Sequence, residues 1–247
     1  MRIQLMSDLH FEYHRDRGRQ WISTLDSYGV DVLILAGDIA EVREGHLAEV
    51  LGLFLERFNQ VVFVPGNHEY YGSTILEAGQ TFESLNADFE HLHILRRESV
   101  TIKGQRFVGA SLWFTERFDE EHVGLEGRLN DFHKIGGGFK QWVYQEAKRD
   151  SEFLLTSVQE GDVVITHHIP SSRGVATKWQ SVIDGFGRFF VHALPEEVIQ
   201  KSRLWCHGHG HDSVQTQIGA HTLVANPFGY LGVEENPSFN PGLVFEI

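Results

Sequence analysis

The chain has one cysteine, Cys206, in 247 residues. No intramolecular disulfide can form, which fits a reducing compartment. Long apolar runs are also missing. The N-terminal "MRIQLMSDLH" is broken at Ser7 and Asp8, so it does not read as a signal peptide. No other stretch is long enough to cross a bilayer. These absences predict a cytoplasmic protein with no membrane partner. Positive charge is scarce as well: Lys plus Arg is 21 against 34 for Asp plus Glu, a net charge of −13. Such a chain repels nucleic acid and anionic membranes at long range. It has no Lys/Arg-rich stripe, so a nucleic-acid polymer is a poor partner. An anionic substrate must then be attracted locally, and a bound metal does that. Repeats, low-complexity tracts and Pro/Ser-rich linkers are absent too, and the expectation is one domain over residues 1–247.

Hydrophobic residues make up 41% and charged residues 22% of the chain, the profile of a globular protein. Five short apolar runs end abruptly in polar residues: "RIQLM", "DVLILA", "VVFV", "DVVIT" and "RLWC". Their length and Val/Ile/Leu content suit strands buried on both faces. In "HLAEVLGLFLERF", Leu47, Val50, Leu51, Phe54, Leu55 and Phe58 mark one face of a helix. A second helix is expected over roughly residues 139–158. "HILRRESVTI", "QRFVGASLWF", "DSVQTQI" and "HTLVAN" read as strands, with hairpin turns at "KGQ" and "IGAH". The pattern predicts an α/β protein with two mixed β-sheets packed face to face and helices outside.

Ligands of open α/β folds gather beyond the carboxyl ends of the strands. Each of the five runs is followed there by metal-binding residue types: Asp8 and His10, Gly37-Asp38, Gly66-Asn67-His68-Glu69, His167-His168, and His209 with His211. Singly each has an ordinary explanation, since a strand-end Asp or Asn is usually a turn former or a helix cap. Five such ends in one chain should converge on one edge of the sheets.

The ordered set D-x-H, G-D, G-N-H-E, strand-end H and G-H-x-H spans residues 8 to 211. It resembles the calcineurin-like metallophosphoesterase superfamily. The resemblance implies a four-layer α/β/β/α sandwich and a site for two divalent metal ions (Mn, Fe, Zn, Ni or Co). It implies that Asp8, His10, Asp38 and His211 hold one ion, and that Asp38, Asn67, His167 and His209 hold the other. Asp38 would bridge. A metal-bridging hydroxide would attack the phosphorus of a phosphomonoester or small phosphodiester, with His68 giving a proton to the leaving group. Mixed oxygen and nitrogen donors suit these metals better than calcium. A complete donor set argues for an enzyme over a non-catalytic scaffold of the same fold, and the negative charge argues against a nuclease.

Several assignments stay open at this level. "THHIP" offers both His167 and His168; the first follows the apolar run directly and is preferred. Glu69 is either a partner of the site or a surface residue. In "CHGHGH" the two-residue spacing keeps His209 and His211 on one side of an extended backbone, while His207 reads as a packing neighbour. Gly210 stands where relatives carry a β-carbon. Cys206 reads as a small packed hydrophobe, Arg173 as solvated, and Phe228 as no phosphate contact. Residues 115–138, with Arg128, Asn130 and Asp131, form either a lid or an ordered loop.

Overall fold

The structure is a computed structural model that describes residues 1–116 and 120–247. In chain order the strands begin with β1 (Arg2–Met6), β2 (Val32–Leu35), β3 (Val61–Phe63), the two-residue β4 (Ser73–Thr74) and β5 (Leu92–Ile94). They continue with β6 (Glu98–Ile102), β7 (Gln105–Ala110), the short β8 (Ile135–Gly136), β9 (Asp162–Thr166) and β10 (Ser202–His207). The last are β11 (Val214–Ile218), β12 (His221–Ala225), the short pair β13 (Gly229–Tyr230) and β14 (Glu234–Glu235), and β15 (Val244–Glu246). One sheet runs β15-β1-β2-β3-β5 and the other β11-β12-β10-β9-β7-β6. Both are mixed. Their central strands are parallel, and β15, β6 and β11 pair antiparallel at the edges.

Side-chain alternation builds the layers. Ile3, Leu5, Val32 and Ile34 face Val163, Ile165, Leu204 and Cys206 in a core between the sheets. Their neighbours Met6, Leu33, Leu35 and Phe63 point the other way, onto a helical layer. Helices α1 (Arg19–Ser23), α2 (His46–Leu55) and α3 (Ile75–Asp88) lie in that layer, and Leu47, Leu51, Phe54 and Phe82 supply its apolar face. Short helices α4 (Glu120–Glu126) and α5 (Asp131–Lys134) precede the long α6 (Phe139–Ser157). On the far side Val164 and Trp205 pack on Leu154 of α6 and on Ile199 of α7 (Glu196–Ile199). The result is the α/β/β/α sandwich. Thr74 starts α3 with a capping box, its hydroxyl accepting from the Glu77 backbone while Glu77 reaches back.

Two strand expectations need correction. "HILRRESVTI" is not one strand. It breaks at Arg97 (φ 64°), whose guanidinium binds Glu146 and Asp150 of α6. The first half, β5, joins one sheet and the second, β6, joins the other. "QRFVGASLWF" also stops early, at Ala110. Leu112 turns to φ 58°, and its N–H donates to Asp150 rather than to a strand (2.9 Å). Among the described residues no helix is long and apolar enough to cross a membrane.

Candidate metal centre

The five strand ends converge as expected. Their ligating atoms form three overlapping groups, each within 4.8 Å: Asp8, His10 and His211; His10, Asp38 and His68; Asp38, His167 and His209. Asn67 joins the third group, with Oδ1 3.1 Å from His167 Nε2. Asp38 reaches both sides. Its Oδ1 lies 3.4 Å from His167 Nε2 and its Oδ2 3.7 Å from His10 Nε2.

The chemistry of these donors fits metal ions. His10 Nδ1–H donates to Glu12 Oε1 (3.0 Å) and His167 Nδ1–H to the Ala36 carbonyl (2.9 Å). A neutral ring so engaged presents a lone pair at Nε2. His10 Nε2 faces His211 Nε2 at 3.1 Å, and His167 Nε2 faces His209 Nδ1 at 3.2 Å. Two ring nitrogens placed this way either share one proton or hold one cation. Burial opposes a charge on Asp38, but His167 and His68 beside it hold its pKa well below the usual carboxylate range. Burial likewise disfavours a charged His167, yet the Asp38 carboxylate outweighs it and pushes the pKa up to about 10. The Asp38 carboxylate thus favours positive charge beside it, and a divalent ion would take that proton's place.

The backbone is bent to make this possible. Asp8, His10, Asp38, His209 and His211 all have φ between 46° and 66°, a region that costs about 1–3 kcal/mol for most non-glycine residues. The neighbouring glycines clear the space. A β-carbon at Gly66 would collide with Asp38 Oδ1 and stand 2.7 Å from His167 Nε2. Gly66→Ala is therefore expected to lower metal content per chain and to destabilise the fold by about 1–3 kcal/mol. Metal analysis beside a thermal melt checks both parts.

The left-handed turns also correct the reading of "CHGHGH". Strand β10 ends at His207, and no extended period links His209 to His211. Separate turns send His209 to Asp38 and His167, and His211 to Asp8 and His10. His207 lies outside these groups, its Nδ1–H donating to the Gly208 carbonyl (3.1 Å). Gly210 has no positive φ; a β-carbon there would meet Ile169 Cδ1 at 3.3 Å.

His167 and His168 diverge. His168 Nδ1–H donates to the Ser111 carbonyl (3.1 Å), and its ring packs at 5.1 Å from Trp113. Cys206 is buried in the inter-sheet core. Arg173 pairs with Glu196 at the surface (3.6 Å), and Phe228 packs on Trp21 and Phe239. In the stretch 115–138, residues 117–119 lie outside the described residues. The rest contains α4, α5 and β8, and Arg128 to Asp131 line the cavity above the site.

Four polar residues of the site had weak or no sequence signals. Glu69 is fully buried, which rules out the surface reading. It does not partner His68. Its carboxylate accepts the backbone N–H groups of Asp38 (3.0 Å), Ile39 (2.6 Å) and Gly66 (2.6 Å), stapling two strand-end turns together. Burial and the nearby Asp38 charge push its pKa up to about 7. The partner of His68 is Glu12, whose Oε1 accepts from His68 Nδ1 (2.8 Å) as well as from His10. Burial pushes Glu12 up, but these hydrogen bonds hold it at about 2. Asp131 accepts from Asn67 Nδ2 (2.9 Å) and from the Tyr71 hydroxyl (2.6 Å), which orients Asn67 Oδ1 toward His167. Tyr230 is delivered by the segment after β12, where the Phe228 and Gly229 N–H groups donate to the Ser7 and Asp8 carbonyls (3.0 and 2.9 Å). Its ring lies 4.3 Å from His10 and 4.7 Å from His211, and its hydroxyl meets His68 Nε2 at 3.1 Å. Glu69 closes the G-N-H-E block and Glu12 stands two residues after His10, whereas Asp131 and Tyr230 lie outside the motifs.

A two-sheet sandwich with converging Asp, Asn and His residues at its strand ends defines a class, the metallophosphoesterases. The chain belongs to the calcineurin-like phosphoesterase family, whose model matches residues 1–213. Among solved structures it is similar to phosphopantetheinyl hydrolase (PptH) from Mycobacterium tuberculosis, at 18% identity and a TM-score of 0.66, covering 92% of this chain and 89% of that one. It is also similar to TT1561 of Thermus thermophilus, at 12% identity and a TM-score of 0.56, covering 92% and 88%. At these identities the likeness is one of fold. No curated protein matches the sequence.

Proposed function

We propose that the chain is a two-metal phosphoesterase acting on a phosphomonoester or small phosphodiester. Asp8, His10, Asp38 and His211 hold one divalent ion, and Asp38, Asn67, His167 and His209 hold the second. The observation that carries this is the Asp38 carboxylate, which turns one oxygen to each histidine pair. When bound, two such ions supply Lewis acidity toward the phosphoryl group and toward water. Asn67 is kept oxygen-first by Asp131, and His10 nitrogen-first by Glu12.

His68 is the proton donor to the leaving oxygen. Burial lowers its pKa, but the Asp38 charge and the Glu12 hydrogen bond outweigh burial and raise it above the usual value. The protonated ring gives Nδ1–H to Glu12 and keeps Nε2–H for the leaving group. Where no substrate is bound, the Tyr230 hydroxyl takes that bond. Burial pushes the Tyr230 pKa up, so the hydroxyl keeps its own proton. A nuclease reading is weaker: Arg128 is the one Lys or Arg among the described residues lining the cavity, too little for a polyanion.

The test is hydrolysis of p-nitrophenyl phosphate and bis-p-nitrophenyl phosphate after reconstitution with Mn, Fe, Zn, Ni or Co. No turnover with any metal overturns the reading. Metal content distinguishes the paired histidines. His167→Ala is expected to lose one ion per chain. His168→Ala is expected to keep both ions and to lose stability through the cavity left beside Trp113, by about 1–3 kcal/mol.

A further inference from the structure

The cavity above the site is large, about 590 Å³, much more than a phosphoryl group fills. Its far wall is apolar and comes from one stretch of chain. Val175, Trp179, Val182, Ile183, Phe186 and Phe190 all face it. The stretch is tied down. Trp179 Nε1–H donates to Asp212 Oδ2 (2.8 Å), Lys178 Nζ pairs with Asp212 Oδ1 (2.8 Å), and Val191 bridges to Ile169. The wall is also asymmetric with respect to the site. It begins at Phe190, whose ring lies 4.4 Å from His209. From there it runs to Trp179, held at Asp212, whereas the ring neighbours of His68 are His10 (4.3 Å), Tyr71 (4.1 Å) and Tyr230 (5.7 Å), none of them in the wall.

That asymmetry specifies the substrate. The leaving oxygen has to face His68 Nε2 to receive its proton. An ester arm resting on the wall is therefore not the leaving group. A monoester has only one arm, and that arm faces His68. A diester has a second. Arg128 is the one Lys or Arg among the described cavity residues and lies outside the wall stretch, Lys178 is paired with Asp212 (2.8 Å), and Glu234 adds negative charge to the rim. An anionic second arm would lose its hydration there without compensation.

Resting on the phosphoesterase reading above, we infer that the substrate is a phosphodiester with an uncharged, apolar retained arm held against the Val175–Phe190 wall. In the reaction a bond from the water oxygen to phosphorus forms while that water releases one proton to solvent, which restores the proton that His68 spends. The bond from phosphorus to the leaving oxygen breaks, and that oxygen takes a proton from His68. The product monoester keeps the apolar arm.

The test uses the manganese-reconstituted chain and three diesters with one leaving group: methyl, phenyl and carboxymethyl esters of p-nitrophenyl phosphate. The phenyl ester is expected to exceed the methyl ester in kcat/KM by roughly tenfold or more, chiefly through KM. The anionic carboxymethyl ester is expected to gain nothing over methyl. Calorimetry should show diphenyl phosphate binding at least about tenfold tighter than dimethyl phosphate. Val182→Ser and Trp179→Ser, both at partly exposed positions (46% and 45%), should each shrink the phenyl-to-methyl ratio. Equal binding of the two diesters, an unchanged ratio in both variants, or faster hydrolysis of p-nitrophenyl phosphate than of every diester overturns the inference. Preferential binding of diphenyl phosphate with no turnover of any ester under any metal would instead overturn the hydrolase reading and leave the wall's assignment standing.

Discussion

Asp38→Asn is expected to abolish turnover of both p-nitrophenyl phosphate and its bis ester, with a loss on the order of 10³-fold or more in kcat/KM. The substitution is nearly isosteric, so the fold should persist. What changes is one oxygen, which becomes an amide nitrogen with two hydrogens. Asp38 Oδ1 accepts the His68 N–H (2.8 Å) and lies near His167, while Oδ2 lies near His10. An amide satisfies one of these directions and presents donors to the other. It also removes the negative charge that offsets two divalent ions at close range. Metal content should fall by at least one ion per chain, measured on protein whose circular dichroism matches that of the parent. Substantial turnover by the variant would falsify the two-metal reading.

The architecture was legible because strands announce themselves by where they stop. Each of five apolar runs ended in polar residues at the same place relative to the sheet, and the structure gathers those ends at one edge. The second sheet followed from hairpin turns at "KGQ" and "IGAH", which pair β6 with β7 and β11 with β12 at its two edges. Legibility failed where the backbone leaves regular geometry. The break at Arg97 depends on carboxylates of α6 some fifty residues away in sequence. Separate left-handed turns, not an extended period, set the directions of His209 and His211. Local pattern reasoning has no access to either. The supporting carboxylates were hidden for the same reason. Glu69 binds backbone N–H groups from two strand ends, and Asp131 meets Asn67 across 64 residues of chain. Tyr230 arrives from a turn whose register is set by pairing with Ser7 and Asp8. Motif residues carry chemistry that spacing reveals; the residues that orient them are found only in three dimensions.

Glu12 makes that distinction measurable. Glu12→Gln is expected to lower kcat/KM at neutral pH by roughly 10–100-fold and to move the basic limb of the pH–rate profile to lower pH. The sign follows from His68 acting as an acid. Its protonated fraction, and the rate with it, falls as pH rises through its pKa. Burial depresses that pKa, and Asp38 and Glu12 raise it. Removing the Glu12 charge takes away part of the upward shift, so protonation is lost sooner. Leaving-group dependence should steepen too. An alkoxide needs the proton most and p-nitrophenolate least, so alkyl leaving groups suffer the larger loss. Because Glu12 also holds His10 (3.0 Å), the profile must be recorded at saturating metal with ion content measured in parallel. A uniform loss across leaving groups, with the basic limb unmoved, would mean that Glu12 acts through His10 alone. The proton for the leaving oxygen would then have to come from elsewhere, with the Tyr230 hydroxyl, 3.1 Å from His68 Nε2, the next group in reach.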